Sequence, residues 1–370
     1  MAADGVDAYF AVRRETIRYL TGFVLEDGEE KVAGNSGRSF ISTGEVVVLA
    51  DSRYTIQAAE EARDARVEEC GYDLAARWPD LVASLAGPAG RTVRRIATEA
   101  TVLPHAQWTA VQEASPDVEL LAGDGWVDDA RQVKEPVEIE RIAAACRLGD
   151  AALTALLPSI RPGVTEAELA WELETWLRTH GAEALSFPVA VLAGERAAMP
   201  HGSPTDRELR RGEALLFDFG AQVAGYRSDM TRTLFVGEPT ARDRSVYDLV
   251  ARAQRAALDL LGEVAASGEG ATGRTIDAIS REVIGGAGHA DHYGHNLGHG
   301  IGLATHEKPT LGRSAPELEL PSPTVFSVEP GVYLDGETGV RIEDLVTYDT
   351  TARRLDLLTS FPREVVVVGE

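Results

Sequence analysis

The feature that most constrains the fold is an internal repeat over residues 137–343. Gly163-Val-Thr165 and Gly270-Ala-Thr272 stand 107 positions apart, and each follows a long stretch of helical apolar periodicity, 137–157 and 243–265. Asp218-Phe-Gly220 is answered by Glu329-Pro-Gly331, 111 positions later, and Asp229 by Glu343, 114 positions later. Four matches in one order at nearly constant offset predict two similar halves facing each other. Each half is a helix pair followed by a β-hairpin, and the hairpins bring their carboxylates to a shared centre.

Local signals agree with this reading. Pro136 stands where a helix can begin, and Ile139, Ile142, Cys146, Gly149, Leu153 and Leu156 repeat every three or four residues behind it. The partner helix shows Val246, Leu249, Val250, Ala253, Ala257 and Leu260 on one face. Thr165 with Glu168 reads as a capping box, and Gly181 as a helix stop. Ahead of the repeat, strand and helix patterns alternate, as in EVVVLADSRYTIQAAEEARD (45–64) and RTVRRIATEATVL (91–103), which predicts an α/β domain. The polar stretch WVDDARQVKEPVEIERI (126–142) marks the boundary, so domains are expected over 1–132 and 133–370.

The chemistry starts from EALLFDFGAQVAGYRSDMTRTLFVG (213–237), a hydrophobic hairpin carrying Asp218 and Asp229 near its middle. Buried carboxylates cost several kcal/mol each unless they are paired, hydrogen-bonded or bound to metal. The hairpins offer only Arg227, Arg232 and Arg341 as basic partners, too few for an ion-pair network. Between the hairpins, GHADHYGHNLGHGIGLATHEKP (288–309) holds five of the eight histidines. His292, His295 and His299 have helix-like spacing, which would suit a three-histidine zinc site, but Gly294, Gly298, Gly300 and Gly302 argue against a helix. The better reading takes one imidazole from this stretch and four carboxylates from the hairpins. Such an oxygen-rich set suits Mn²⁺, with Co²⁺, Fe²⁺ or Zn²⁺ as competitors. Its charge is enough for two divalent ions roughly 3.5–4 Å apart. The net charge of -23 argues against nucleic acid and anionic membrane surfaces as partners. Two cysteines cannot build a disulfide framework, and the start MAADGVDAYF lacks signal-peptide features. A cytoplasmic protein is expected.

The set of Asp218, Asp229, His299 in GHGIG, Glu329 in VEPG and Glu343 in GVRIED resembles the metallopeptidases of the pita-bread fold, and among them the Xaa-Pro peptidases aminopeptidase P and prolidase. RYLTGF (18–23) and DSRY (51–54) extend the likeness into the first domain. The resemblance implies a creatinase-like α/β domain followed by a pseudo-twofold pita-bread domain, α/β joined to α+β, and a homodimer. It implies that Asp218 chelates one metal, that His299 and Glu329 hold the other, and that Asp229 and Glu343 bridge them. Glu329 would also shuttle a proton. His201 in MPHGS and His306 in THEKP would contact the scissile amide from opposite sides. His295 would line the substrate pocket, and Arg341 would orient a carboxylate. The expected activity is hydrolysis of Xaa-Pro bonds at peptide N-termini or in dipeptides. The alternatives are a biosynthetic enzyme that changed substrate on the same scaffold, or a creatinase-like amidinohydrolase that works without metal. Tyr226 reads as a group reaching the metals or as an interior tyrosine, Arg232 as structural, and Trp126, Trp171 and Trp176 as core or interface residues.

Overall fold

The computed structural model describes residues 5–25 and 33–369. The chain divides into two compact units, Met1–Ala130 and Arg131–Glu370.

In the first unit β1 (Ala8–Ala11), α1 (Arg14–Thr21), β2 (Ser39–Ser42), β3 (Val46–Ala50), α2 (Thr55–Glu61), β4 (Arg66–Glu69), α3 (Leu74–Ser84), β5 (Arg95–Thr98), α4 (His105–Ala114) and β6 (Glu119–Ala122) follow in order, and α5 (Trp126–Gln132) leads out of it. The strands form one mixed sheet ordered β4-β3-β2-β1-β5-β6. Alternation along β1 sends Ala8 and Phe10 to one face, packed with Phe40 and Trp78, and Tyr9 and Ala11 to the other, with Ile17 and Phe23. The RYLTGF stretch ends α1 on Gly22, at φ 81°. In DSRY the Asp51 carboxylate accepts from the backbone and guanidinium of Arg53, shaping the β3–α2 turn.

The second unit continues with α6 (Pro136–Leu156), α7 (Glu166–Thr179), β7 (Ala184–Leu185), β8 (Ala190–Ala193), β9 (Glu213–Phe219), β10 (Ala221–Val223), β11 (Tyr226–Arg227), β12 (Met230–Val236), α8 (Ala241–Ser267) and α9 (Gly273–Gly286). Then come β13 (Gly298–Gly300), β14 (Glu307–Leu311), β15 (Thr324–Val328), β16 (Gly331–Leu334), β17 (Thr338–Arg341), β18 (Asp344–Asp349), β19 (Arg354–Leu357) and β20 (Val367–Val368). The helix pairs α6–α7 and α8–α9 are those the repeat predicts. Thr165 and Glu168 form the expected capping box on α7, and Thr272 accepts from Thr275 N at the matching start of α9.

The hairpins differ from two continuous ladders. β9 pairs antiparallel with β12, Asp218 opposite Thr231, in a sheet ordered β20-β12-β9-β8. Past Gly220 the chain leaves this sheet and forms β11-β10-β7. A side chain at Gly220 would lie 1.9 Å from the Ser228 carbonyl oxygen, so the crossing of the strands there demands glycine. The second half breaks in the same way. β15 and β18 lie in the sheet β14-β13-β15-β18-β19, while β16 and β17 pair apart from it. Asp229, Glu329 and Glu343 therefore sit in the gaps where strands change sheets, and Asp218 sits two residues before the gap at Gly220. There the ladder is interrupted and a polar side chain can leave the alternation. Leu216, Phe235, Val250, Val332, Val340 and Ile342 pack as one cluster that joins the halves. Of the core and interface readings of Trp171 the core one does not hold: it is 71% exposed on α7, whose buried stripe is Leu169, Leu173 and Leu177.

Candidate metal centre

The interruptions converge. Asp229, His299 and Glu343 each offer a ligand atom, and these atoms lie within 4.8 Å of one another. His299 Nε2 is 3.7 Å from Asp229 Oδ2 and 3.3 Å from Glu329 Oε1. Its Nδ1 lies 3.0 Å from the Gly300 carbonyl. A carbonyl only accepts, so Nδ1 carries the proton; burial disfavours the charged ring, and Nε2 turns a bare lone pair toward carboxylates. That facing is repulsive unless a cation lies between.

The carboxylates point the same way. Burial, and after it the charges of Glu343, Asp218 and Glu329, raises the Asp229 pKa well above the ordinary range. Glu343 is raised likewise, by burial and then by Glu329 and Asp218. Burial pushes Glu329 up to about 7. Asp218 Oδ1 and Glu343 Oε1 are buried without a hydrogen-bond partner. Orphaned anionic oxygens, one bare imidazole nitrogen and a surplus of negative charge fit a site for divalent metal.

The other oxygens are already engaged. Arg341 Nη2 donates to Asp218 Oδ2 at 2.5 Å, and Arg341 Nε donates to Thr231 Oγ1 at 2.9 Å. The Thr231 hydroxyl donates to Glu343 Oε2 at 2.7 Å, and Ser327 Oγ donates to Glu329 Oε1 at 3.0 Å. These bonds fix which oxygens remain free. Arg341 Nη1 also donates to the hydroxyl of Tyr333 at 2.9 Å, which lies 2.9 Å from His295 Nε2. His295 Nδ1 faces the Asn296 carbonyl at 2.8 Å, so Nε2 accepts the Tyr333 proton. Burial and then Arg341 hold the His295 pKa at about 4, and the ring is neutral. His306, an exposed residue, sets its ring obliquely against His299, ring centroids 4.2 Å apart. His201 is exposed, and its neighbour Pro200 accepts from Arg341 Nη1 at 3.2 Å.

Some sequence candidates fall elsewhere. His292 faces His289, Nδ1 to Nδ1 at 3.2 Å, and His295 faces Tyr333, so the three-histidine arrangement is not formed. The Tyr226 hydroxyl donates to Glu138 at 2.8 Å, which makes it an interior tyrosine. Arg232, fully buried, donates to Asp344 at 2.6 Å and to the Phe361 carbonyl. Sequence reasoning missed Thr231, Ser327 and Tyr333. Thr231 and Ser327 stand two residues from Asp229 and Glu329 at the adjoining strand ends, a sequence spacing that could have pointed to them.

A two-domain chain whose second domain folds as matching halves around an acidic, histidine-bearing centre has the pita-bread architecture. Residues 140–349 match metallopeptidase family M24, and residues 1–133 match the creatinase/prolidase N-terminal domain. The chain belongs to family M24. It is 32% identical, over 98% of its length and 96% of the relative's, to an uncharacterized peptidase of Bacillus subtilis. Its fold resembles an Xaa-Pro dipeptidase from Bacillus anthracis with TM-score 0.87 and 31% identity, covering 99% of this chain and 96% of that one. It resembles an X-Pro aminopeptidase from Thermotoga maritima with TM-score 0.87 and 33% identity, covering 99% and 97%. Among the described residues no helix is long and apolar enough to cross a membrane.

Proposed function

We propose that this protein is a metallo-exopeptidase that hydrolyses the Xaa-Pro bond at the N-terminus of peptides or in dipeptides. The observation that carries the reading is the convergence of Asp229, His299 and Glu343 to within 4.8 Å at the junction of the two halves. Likeness to solved structures of an Xaa-Pro dipeptidase and an X-Pro aminopeptidase supports the substrate class. Asp218, Asp229, His299, Glu329 and Glu343 would hold two divalent ions, Mn²⁺ being favoured by the oxygen-rich donors. When bound, the ions supply Lewis acidity at the scissile carbonyl and a nucleophilic water at neutral pH.

The residues of the chain do the rest. Glu329, a carboxylate beside the centre, takes a proton from the attacking water and delivers it to the leaving proline nitrogen. His201 and His306 flank the amide and stabilise charge on its oxygen as it develops. Arg341 holds Asp218 by a charge-assisted bond. His295 and Tyr293, with rings 5.2 Å apart, and Tyr333 offer an aromatic wall. An Xaa-Pro amide has no N–H to satisfy, and its ring fixes φ near about −65°, so such a wall is sufficient recognition. The protein works as a cytoplasmic homodimer on peptides with proline in the second position, and neither nucleic acid nor membrane is a partner.

The test is purified protein with Mn²⁺ on Ala-Pro, Ala-Pro-Ala, Ala-Ala and a Met-initiated peptide, with and without chelator. Hydrolysis is expected for the proline substrates and is abolished by chelation. Equal kcat/KM on Ala-Pro and Ala-Ala would remove the Xaa-Pro assignment, and full activity in metal-free protein would remove the metal.

A further inference from the structure

One buried ionic cluster lies outside the centre just described. Glu307 Oε1 accepts from Lys134 Nζ at 2.7 Å, Glu307 Oε2 meets the guanidinium of Arg131, and Lys134 Nζ also donates to the Arg131 carbonyl at 2.8 Å. The three side chains are 6%, 1% and 5% exposed for Glu307, Lys134 and Arg131. Removing such ions from water costs several kcal/mol each, and apolar residues of similar volume would stabilise the fold as well or better. Stability alone does not explain the cluster.

Its position does. Glu307 opens β14, directly after the connection 301–306 from β13 that ends in His306. Pairing of the two strands shifts register between His299 and Gly300, and Gly300 then pairs with Glu307, which leaves 301–306 itself outside the ladder. Backbone and side-chain bonds hold the connection. Arg227 binds the carbonyls of Gly302 and Leu303, Thr305 Oγ1 donates to the Ser186 carbonyl at 2.9 Å, and Glu307 Oε2 accepts from Ala304 N at 3.4 Å. Gly302 admits the carboxylate, since a side chain there would meet Glu307 Oε1 at 2.4 Å. The Glu307 carboxylate is thus fixed by Arg131 and Lys134 while the adjacent His306 ring lies against His299, centroids 4.2 Å apart, so the grip on Glu307 holds the backbone from which His306 projects.

We propose that Glu307, gripped by Arg131 and Lys134, is a positioning residue that sets the His306 imidazole for the reaction. The inference rests on the Xaa-Pro peptidase reading. Its test is a double-mutant cycle with Mn²⁺-loaded protein on Ala-Pro. Glu307→Gln is expected to lower kcat about ten- to a hundredfold, the usual cost of a misplaced catalytic group, with KM and bound metal within about twofold. In the His306→Ala background the same change is expected to cost less than about twofold, because its effect acts through the missing ring. Additive losses, or a Glu307→Gln protein with unaltered kcat, would overturn the proposal.

Glu307→Gln leaves two buried cations underpaired, so a second variant guards against misfolding. Arg131→Met/Lys134→Met/Glu307→Leu removes every charge of the cluster, and is expected to stay folded and to lose kcat as the single variant does. A folded triple variant with full kcat overturns the proposal as well. A readout independent of turnover is the His306 ring signal in a ¹H–¹³C spectrum of chelated protein, expected to shift or split in Glu307→Gln. An unmoved signal overturns the positioning role even if the unmodified protein cleaves no Xaa-Pro bond, an outcome that would by itself count only against the activity.

Discussion

Replacing Glu329 by glutamine should stabilise the metal-free protein and destabilise the metal-loaded one. In the metal-free site burial raises the Glu329 pKa to about 7, against an ordinary glutamate value of ~4.3. A raised carboxylate pKa means that between these values the folded chain binds a proton the unfolded chain does not. Stability therefore falls as pH rises through this window and is regained on acidification. The linkage relation gives a burden of about 3.5 kcal/mol at pH 8, falling to about 1 kcal/mol at pH 5. Glutamine does not titrate and is free of it. Carboxylates with depressed pKa, such as Asp51 bound by Arg53 and Glu168 bound by the Thr165 backbone, carry the opposite sign but titrate below this window. The assay is thermal unfolding of both proteins after chelation at pH 8 and pH 5, then with Mn²⁺. For a unit the size of Arg131–Glu370 the chelated variant should melt roughly 7–14 °C higher at pH 8, with the gap shrinking to a few degrees at pH 5. With Mn²⁺ the order should reverse, because the amide is a poorer ligand. A chelated variant no more stable than the parent at pH 8, or a gap unchanged by acidification, would refute the reasoning.

Other substitutions separate holding metal from using it. Asp229→Asn and Glu343→Gln should lose bound Mn²⁺ as well as rate, measured by metal analysis after gel filtration, whereas His306→Ala should keep the metal and lose mostly kcat. Ala-Pro should be preferred over Ala-Ala by at least about tenfold in kcat/KM, since the ring's methylenes in an apolar slot are worth ~1–3 kcal/mol. His295→Ala should narrow that preference without releasing metal. In the first unit Trp78 is 1% exposed between the rings of Phe10 and Phe40, at 5.1 and 5.2 Å. Trp78→Ala should cost about 3–5 kcal/mol in denaturant unfolding of that unit.

What the sequence reveals and what it hides follows the range of the forces involved. Helix α7 is legible because Thr165, Glu168 and the Leu169-Leu173-Leu177 stripe interact within a few residues of one another. The convergence of Asp218, Asp229, Glu329 and Glu343 is not local, and it was readable because the repeat maps one hairpin onto the other, while His299 was singled out only by the resemblance of GHGIG to the family's motif. The breaks at Gly220 and Gly331 were not readable. Gly220 is required by Ser228 across the strand, a contact of tertiary origin. Tyr333 and Glu307 escaped for the same reason: their partners Arg341 and His295, or Arg131 and Lys134, are set by how distant segments fold together. For Trp171 composition alone left core and interface open, and helix periodicity decides against the core: it lies on the exposed side of a helix whose leucines face inward.

The repeat also explains what couples the halves. Arg227 stands two residues before Asp229, and Arg341 two before Glu343, so the 114-residue offset maps one arginine onto the other. Each crosses over. Arg227 lies in the first half, yet its backbone N–H donates to the Gly302 carbonyl at 2.9 Å and its Nε to the Leu303 carbonyl at 3.2 Å, both in the second. Arg341 lies in the second half, yet it donates to Asp218, Thr231 and the Pro200 carbonyl in the first. The same backbone position thus reaches across in both directions, Arg227 to a carbonyl and Arg341 to the Asp218 carboxylate. Arg341→Met leaves Asp218 uncompensated and should cost the fold about 3–5 kcal/mol. Arg227→Met keeps the backbone bond to Gly302 but removes the side-chain bonds to the Leu303, Leu185 and Ser186 carbonyls, at about 1 kcal/mol or more each. With both arginines replaced the halves should no longer unfold together, so urea unfolding of the double variant should broaden, with a lower apparent m or two steps. A double variant that keeps one transition with the parent's m and midpoint would show that the apolar cluster around Val250 and Val332 couples the halves without the arginines.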